Sequence, residues 1–218
     1  MSRLFEVTDS EKVWSGHIAA VRIDTLVMPG GGTARREVVE HDRAVAVVAL
    51  DDEGSVVLLE QFRHPLRRRL WELPAGLMDF AGESARSAAE RELGEETGLH
   101  AAHWSVLVDI ASSPGFTDEA VRVFLATGLT HIGRQGDVLH EEADLKVVRV
   151  PLEVAVRGVF QGRIVNGSSV SGLLAAAVAL GIDTDITAAS LRPADDPWND
   201  ASAVSQGPGI PDAPALDV

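Results

Sequence analysis

Two apolar runs of strand length constrain the fold of this chain most strongly. They span residues 44–50 and 55–60, and an acidic turn at residues 51–54 separates them. Neither run alternates apolar with polar side chains, which is typical of strands buried on both faces. Further strands are predicted within residues 14–39, 70–74, 103–110, 121–126 and 145–150, and helices over residues 84–97, 151–161 and 168–180. This order of elements predicts an α/β fold built on a mixed sheet.

Composition excludes several classes of protein. The chain has 218 residues and a formal net charge of −14, which argues against nucleic-acid binding through a generally basic surface. It contains no cysteine, so disulfides, cysteine-ligated zinc, iron–sulfur clusters and thiol catalysis are excluded together. The first twenty residues do not read as a signal peptide, and no apolar stretch is long enough to span a bilayer. We therefore expect a soluble cytoplasmic protein with neither nucleic acid nor membrane as a partner.

The sequence divides into three regions. Residues 1–42 predict a small N-terminal antiparallel β-sheet region, and residues 43–192 contain the remaining predicted strands and helices. Residues 193–218 hold five of the ten prolines, five aspartates and no basic residue. This composition predicts a disordered acidic tail.

The predicted helix at residues 84–97 carries a carboxylate face. At 100° per residue, Glu92, Glu95 and Glu96 fall within about a 100° sector. Glu92 precedes Glu96 by four residues, a like-charge spacing that costs a few tenths of a kcal/mol unless a cation offsets it. Clustered carboxylates without adjacent lysines suit hard divalent ions such as Mg²⁺. A merely exposed acidic helix is the alternative, and Arg91 is expected to pair with Glu83 across the helix.

These residues belong to a longer pattern. It consists of Gly76, Glu83, Arg91-Glu92-Leu93, Glu95-Glu96 and Gly98-Leu99, and it resembles the signature box of the Nudix hydrolases. One departure is that six residues separate Gly76 from Glu83 where the family usually has five. We expect the extra residue to bulge within a loop without moving the helix. Gly76, Glu83, Arg91 and Gly98 would then have structural roles in the motif.

The resemblance implies a fold, a reaction and a metal site. The fold would be the Nudix α/β/α sandwich with a mixed sheet, preceded here by the N-terminal antiparallel region. The reaction would be the hydrolysis of a nucleoside diphosphate linked to another group, assisted by Mg²⁺ or Mn²⁺. The carbonyl of Ala75, together with Glu92 and Glu96, would bind the metal, and Glu95 would assist both binding and catalysis.

Over residues 14–180 the chain resembles the ADP-ribose pyrophosphatases more narrowly. The supporting stretches are residues 35–40, 60–65, 71–76 and 113–119. Pro114 lies fifteen residues after Leu99, about where that subfamily carries its diagnostic proline. This resemblance implies cleavage of ADP-ribose to AMP and ribose 5-phosphate. It also implies a homodimer in which N-terminal strands, here within residues 14–39, cross between subunits and help to build the partner's site.

Four further residues are candidates for the active site. Arg36 and Arg63 match arginines that grip the substrate, and a guanidinium suits phosphate because it donates bidentately. Arg35 would point to the opposite face of its strand. Glu141 and Glu142 are candidates for the general base, and alignment on residues 144–147 favours Glu141. A solvated acidic loop is the alternative, and Glu119 is either a second contributor to the metal site or an exposed loop acid.

Two competing functions remain open at this point. The same chemistry on another nucleoside diphosphate sugar is the nearer one, because the box fixes the diphosphate and not the base. A Nudix-like ligand sensor without hydrolysis is the more distant one. Such a sensor would be expected to lose box carboxylates and to gain a DNA-binding domain, whereas this chain keeps all the carboxylates.

Overall fold

The computed structural model describes residues 5–134, 145–187 and 215–216. The described part contains ten strands and three α-helices. In chain order they are β1 (Val7–Ser15), β2 (Ala19–Val27), β3 (Thr33–His41), β4 (Ala44–Ala49), β5 (Ser55–Arg63), β6 (Arg68–Glu72), β7 (Ala75–Leu77), α1 (Ala85–Thr97), β8 (Leu99–Ala111), β9 (Ala120–His131), β10 (Lys146–Pro151), α2 (Leu152–Phe160) and α3 (Gly167–Leu180).

The central sheet is mixed, as the sequence predicts. Its strand order is β7-β4-β9-β8, with β4 parallel to β9 and the other neighbours antiparallel. A second, antiparallel sheet has the order β10-β5-β6. The two apolar runs are β4 and β5, and their buried side chains form the centre of the fold.

Helices cover both faces of the central sheet. Val45 and Val47 of β4 pack in the same cluster as Leu93 of α1. Val48, on the opposite face of β4, packs in the cluster that contains Leu173 of α3. The strand has no polar face because its side chains alternate between two cores. This arrangement confirms the predicted α/β/α sandwich.

The N-terminal region forms a separate antiparallel sheet with the order β1-β2-β3. The sheet was expected, but the strand Val7–Ser15 was not, because the prediction began at Trp14. All nine residues of β1 are exposed in the single chain, and the strand pairs with β2 alone. A strand that buries no side chain in its own chain does not need the apolar pattern from which strands are predicted.

Other strands are also longer than predicted or were not predicted. β8 begins at Leu99 rather than His103, and β9 continues to His131 rather than ending near Ala126. These extensions lengthen the β8–β9 hairpin, and the residues added to β8 alternate between buried and exposed positions, whereas the last two of β9 are exposed. β7 is three residues long and was not predicted. The predicted starts and ends of the three helices agree with the structure to within one residue.

The described residues near the C-terminus contact the main domain. Leu216 packs against the core cluster that contains Ile164. Arg163 Nη1 donates a hydrogen bond to the carbonyl oxygen of Ala215. Within the described ranges, no helix is long and apolar enough to cross a membrane.

Candidate active site

Helix α1 is capped at both ends by its own sequence. Ser84 Oγ accepts a hydrogen bond from the amide of Ser87 at 3.1 Å, which satisfies one of the free N–H groups of the first turn. At the other end Gly98 adopts φ +70° and donates to the carbonyl of Gly94 at 2.9 Å. Glycine adopts this left-handed conformation without steric cost. The caps fix the length of the helix and therefore the position of its carboxylate face.

Two carboxylates of α1 meet the backbone of β7. Glu96 Oε2 accepts a hydrogen bond from the amide of Ala75 at 2.9 Å. Glu92 lies against Gly76 so closely that a Cβ at that position would be 2.0 Å from Glu92 Cδ. A side chain at this position would therefore displace the Glu92 carboxylate from its place against the strand. The structure brings together Ala75, Glu92 and Glu96, which the family resemblance assigns to one metal site.

Arg91 organises the remaining acids of the motif. Its Nε and Nη2 donate to the two carboxylate oxygens of Glu83, each at 3.1 Å, which confirms the predicted pairing. Its Nη1 donates to Glu92 at 2.6 Å and to Glu95 at 3.3 Å. A further hydrogen bond runs from Nη2 to the carbonyl of Leu77 at 3.1 Å. Glu95 is thus held by the arginine rather than by β7.

The extra residue of the motif lies in a loop that folds over Arg91. The amide of Glu83 donates to the carbonyl of Phe80 at 3.0 Å, and Gly82 adopts φ +82°. The Phe80 ring lies over the Arg91 guanidinium, 4.7 Å from the ring centroid. Asp79 lies 3.6 Å from the same guanidinium. The inserted stretch therefore forms a turn, and its Phe80 ring covers the arginine that orients the acids.

Burial dominates the electrostatics of the two acids. It raises the pKa of Glu96 well above the ordinary range, while the hydrogen bond from Ala75 opposes the shift and the charge of Glu92 adds to it. Burial also raises the pKa of Glu92, and Arg91 opposes that shift. For Arg91, burial acts to lower the pKa, but hydrogen bonds and charges from Glu83 and Glu92 outweigh it and raise the pKa. Both acids therefore lack the solvation that their charged forms need.

The donor set fits a hard divalent cation. Among the described side chains, no three carboxylates or imidazoles converge closely enough to hold a metal by themselves. The predicted set instead combines two carboxylates with the backbone oxygen of Ala75. Glu96 is 5% exposed, and the described part of the chain gives it no ion pair. A buried carboxylate without a cationic partner is costly, and a bound cation with oxygen ligands would remove that cost.

A cavity of about 680 Å³ opens beside β7. Ala75 and Gly76 line it, which places the cavity next to the two acids of α1. Arg63, Glu72 and Glu119 supply its charged side chains. Other residues come from the N-terminal sheet and from the start of α3, and they include Ile18, His41, Asn166 and Ser168. The cavity is thus bounded by three parts of the fold.

Glu72 is a cavity residue that the sequence analysis did not single out. Its carboxylate accepts hydrogen bonds from Arg63 Nε at 2.8 Å and from Arg63 Nη2 at 2.6 Å. The residue is 1% exposed. A signal was present in the sequence, because an acid between Trp71 and Leu73 in a short apolar strand needs a buried partner. The sequence did not identify which arginine would provide it.

The other predicted site residues are placed differently. Arg36 is exposed, donates to the carbonyl of Arg35 at 2.9 Å, and is not among the described residues that line the cavity. Glu119 lines the cavity, with its carboxylate 3.8 Å from His41 Nδ1. Pro114 lies in the exposed turn before Glu119. Glu141 and Glu142 lie outside the described residues.

Hydrogen bonds join this turn to the N-terminal sheet. The amide of Val39 donates to the carbonyl of Phe116 at 2.7 Å, and the amide of His41 donates to Asp118 Oδ1 at 3.0 Å. Glu119 is therefore positioned in part by β3. The N-terminal region consequently contributes to the cavity within a single chain.

A capped helix thus presents acids to a glycine at the edge of a mixed sheet, as the motif predicts. The family model of the NUDIX domain matches residues 40–163, and the chain belongs to the Nudix family. The ADP-ribose pyrophosphatase of Mycobacterium tuberculosis is 50% identical over 197 residues, which cover 90% of this chain and 92% of that protein.

Other comparisons extend the family likeness. The methanol dehydrogenase activator of Bacillus methanolicus is 35% identical over 172 residues, which cover 78% of this chain and 92% of that protein. A solved structure described as an ADP compounds hydrolase superposes with a TM-score of 0.69, covering 82% of this chain and 95% of its own. Its sequence identity is 22%, so this likeness supports the fold alone.

Proposed function

We propose that this protein hydrolyses the diphosphate of ADP-ribose to AMP and ribose 5-phosphate with Mg²⁺, for which Mn²⁺ can substitute. The observation that carries the proposal is the contact of Glu96 with Ala75 and of Glu92 with Gly76, two backbone positions that line a cavity together with Arg63. The choice of ADP-ribose rests on the likeness to the mycobacterial enzyme, which extends over nine tenths of the chain.

The residues would divide the work as follows. Glu92, Glu96 and the carbonyl of Ala75 hold the cation, and Glu95 assists through the Arg91 network. A bound Mg²⁺ supplies charge neutralisation at the diphosphate and lowers the pKa of water. Arg63 grips the diphosphate, since its planar donors suit phosphate oxygens. Glu141 or Glu142 takes a proton from the attacking water, and this assignment stays a prediction.

A panel of substrates tests the proposal. Purified protein with Mg²⁺ is assayed against ADP-ribose, ADP-glucose, GDP-mannose, NADH and 8-oxo-dGTP, and the products are separated by chromatography. We expect the highest kcat/KM for ADP-ribose, with AMP and ribose 5-phosphate in equal amounts. A clear preference for another nucleoside diphosphate sugar would transfer the function to that substrate. Binding without turnover of any of the five would favour a sensor.

We further propose a homodimer in which β1–β3 contact the partner and Arg36 reaches the partner's cavity. Phe5, Val7, Val13, Trp14 and Ile18, in or next to this sheet, are each 47–60% exposed in the single chain. Arg36 does not reach its own cavity, which supports donation to the partner's cavity. The proposal also places the reaction in the cytoplasm, which cell fractionation tests.

Subunit mixing tests the shared site. If Arg36 reaches the cavity of the partner subunit, a heterodimer of Arg36→Ala and Glu96→Gln subunits contains one intact site and one site with both substitutions. Random assortment should then restore roughly a quarter of wild-type activity, provided that subunits exchange and sites are independent. Arg35→Ala is the matched control and should be active without mixing, because its side chain points to the other face. Demonstrated heterodimers without recovery would contradict the crossing.

A further inference from the structure

The ion pair between Arg63 and Glu72 differs from the surface pairs of this protein. Both carboxylate oxygens of Glu72 accept hydrogen bonds, at 2.8 and 2.6 Å, from two different nitrogens of Arg63. The acid side chain is 2% exposed, whereas the arginine side chain is 39% exposed. One partner is therefore fixed in the core, and the other extends from it to the cavity wall.

The core holds the acid in place. Glu72 ends β6 and lies opposite Leu59 of β5, a residue with no exposed surface. A carboxylate buried at this depth is tolerated only with a charged, hydrogen-bonded partner. The fork geometry also fixes the plane of the guanidinium, which a single hydrogen bond would not do. The buried acid consequently sets the orientation of the more exposed arginine.

The pair also lies within electrostatic reach of the carboxylate helix. The positive charge of Arg63 acts to lower the pKa of Glu96, and the negative charge of Glu72 acts to raise it. Both Arg63 and Glu72 line the cavity together with Ala75 and Gly76. A diphosphate bound next to Glu92 and Glu96 would therefore lie close to the Arg63 guanidinium.

We propose that Glu72 is a positioning residue that acts through Arg63, holding its guanidinium in the orientation that binds one phosphoryl group of the substrate diphosphate. This inference rests on the proposed function, in which Arg63 binds the diphosphate. It predicts that the role of Glu72 disappears when Arg63 is absent. It also predicts an effect on binding of the diphosphate rather than on the chemical step.

A double-mutant cycle tests the proposal. The proteins are wild type, Glu72→Gln, Arg63→Ala and the double variant, each checked for folding by thermal melting. One measurement is kcat and KM for ADP-ribose with Mg²⁺. The other is the Kd for inorganic pyrophosphate with Mg²⁺, which reports diphosphate binding in the absence of ADP-ribose. Asp109→Asn is the matched control, because Asp109 forms an exposed bidentate pair with Arg122 at 2.7 and 2.8 Å.

We expect Glu72→Gln to raise both KM and the pyrophosphate Kd about tenfold, equivalent to about 1.4 kcal/mol, with kcat within about threefold of wild type. Glutamine keeps the side-chain volume and one acceptor oxygen, but it cannot accept both hydrogen bonds from Arg63. In the Arg63→Ala background the same change should have no further effect. The Asp109→Asn control should leave both constants unchanged. If Glu72→Gln does not fold, Glu72→Asp retracts the carboxylate by one methylene and should also raise both constants.

Several outcomes would overturn the inference. Unchanged binding in Glu72→Gln, or in Glu72→Asp when that variant is used, would show that the acid does not position the arginine. An undiminished effect without Arg63 would show that Glu72 acts by another route. A third outcome separates the two proposals. If the wild-type protein does not hydrolyse ADP-ribose, the proposed function is refuted. If Glu72→Gln still weakens pyrophosphate binding only when Arg63 is present, the positioning role is supported. Wild-type protein that binds neither compound would overturn both.

Discussion

Glu96 is the residue whose environment most needs explanation. It is almost fully buried, where it accepts a backbone hydrogen bond from Ala75 and faces the like charge of Glu92. A structural carboxylate at such a position would ordinarily face an arginine, as Glu72 does. An acid whose charged form is so poorly stabilised by the protein is suited to bind a cation. The stability of the metal-free protein should reveal this.

We predict that the metal-free protein loses stability as pH rises above the ordinary range for glutamate. Because burial raises the pKa of Glu96 in the folded state, the folded state binds more protons than the unfolded state between the two pKa values. Stability is then greatest below the unfolded pKa and falls as pH rises toward the folded pKa. Melting temperatures in EDTA from about pH 4.5 to 8 measure the effect.

Glu96→Gln provides the control for this titration. Glutamine can still accept the hydrogen bond from Ala75 but does not ionise. The variant should therefore show a smaller decline in melting temperature with pH than wild type. Added Mg²⁺ should raise the melting temperature of wild type most at the higher pH values. Parallel pH profiles for the two proteins would contradict the explanation.

At the scale of single elements, the contact between α1 and β7 positions the acids. A Cβ on Gly76 would lie 2.0 Å from Glu92 Cδ and 2.1 Å from Oε1. Gly76→Ala should therefore displace Glu92 and lower kcat/KM by about 10²-fold, with a weaker dependence on Mg²⁺. Gly30→Ala is the control, since a Cβ there meets nothing within 4 Å, and it should be neutral. Wild-type kinetics in Gly76→Ala would show that the carboxylate has room to move.

The elements that the sequence predicted well are those whose pattern reflects burial in their own chain. β4 and β5 are continuous apolar runs because both of their faces are covered. The ends of α1 are predictable because serine and glycine are typical capping residues. β1 and the last residues of β9 are exposed, so their composition carries little information. β7 is too short for periodicity to show.

The same distinction applies to the candidate site. Residues inside the motif were predictable because their spacing is fixed by one helix, and Arg91 pairs with Glu83 as that spacing indicates. Glu72 and Arg63 come from different strands and are not register partners, so their contact depends on side chains that reach along the β5–β6 pair. Arg36 was predicted from likeness alone, and the single chain leaves it outside the cavity.

At the scale of the whole molecule, the tail is attached near its end. Leu216 contacts the core beside Gly158 of α2 and Ile164 of the α2–α3 connection, which leads to Asn166 at the cavity wall. Truncation after Arg192 should lower the free energy of unfolding by about 1 kcal/mol through lost burial of Leu216. The melting temperature should fall by about 2–4 °C. We expect kcat/KM to stay within about threefold.

Leu216→Ala in the full-length chain separates the contact from the rest of the tail. It should reproduce most of the change in melting temperature. A truncated protein with wild-type stability would show that the contact contributes nothing. A loss of kcat/KM well beyond threefold in the truncated protein would show that the tail reaches the site through the α2–α3 connection.

The central claim is that buried carboxylates of α1 hold a catalytic cation for diphosphate hydrolysis. Steady-state turnover of ADP-ribose by wild type and Glu96→Gln, at saturating substrate and Mg²⁺, tests it most directly. Glu96→Gln should fold like wild type and lose at least about 10²-fold in kcat, equivalent to roughly 2.7 kcal/mol of barrier. Turnover close to that of wild type in a folded Glu96→Gln protein would contradict the assignment of the metal site.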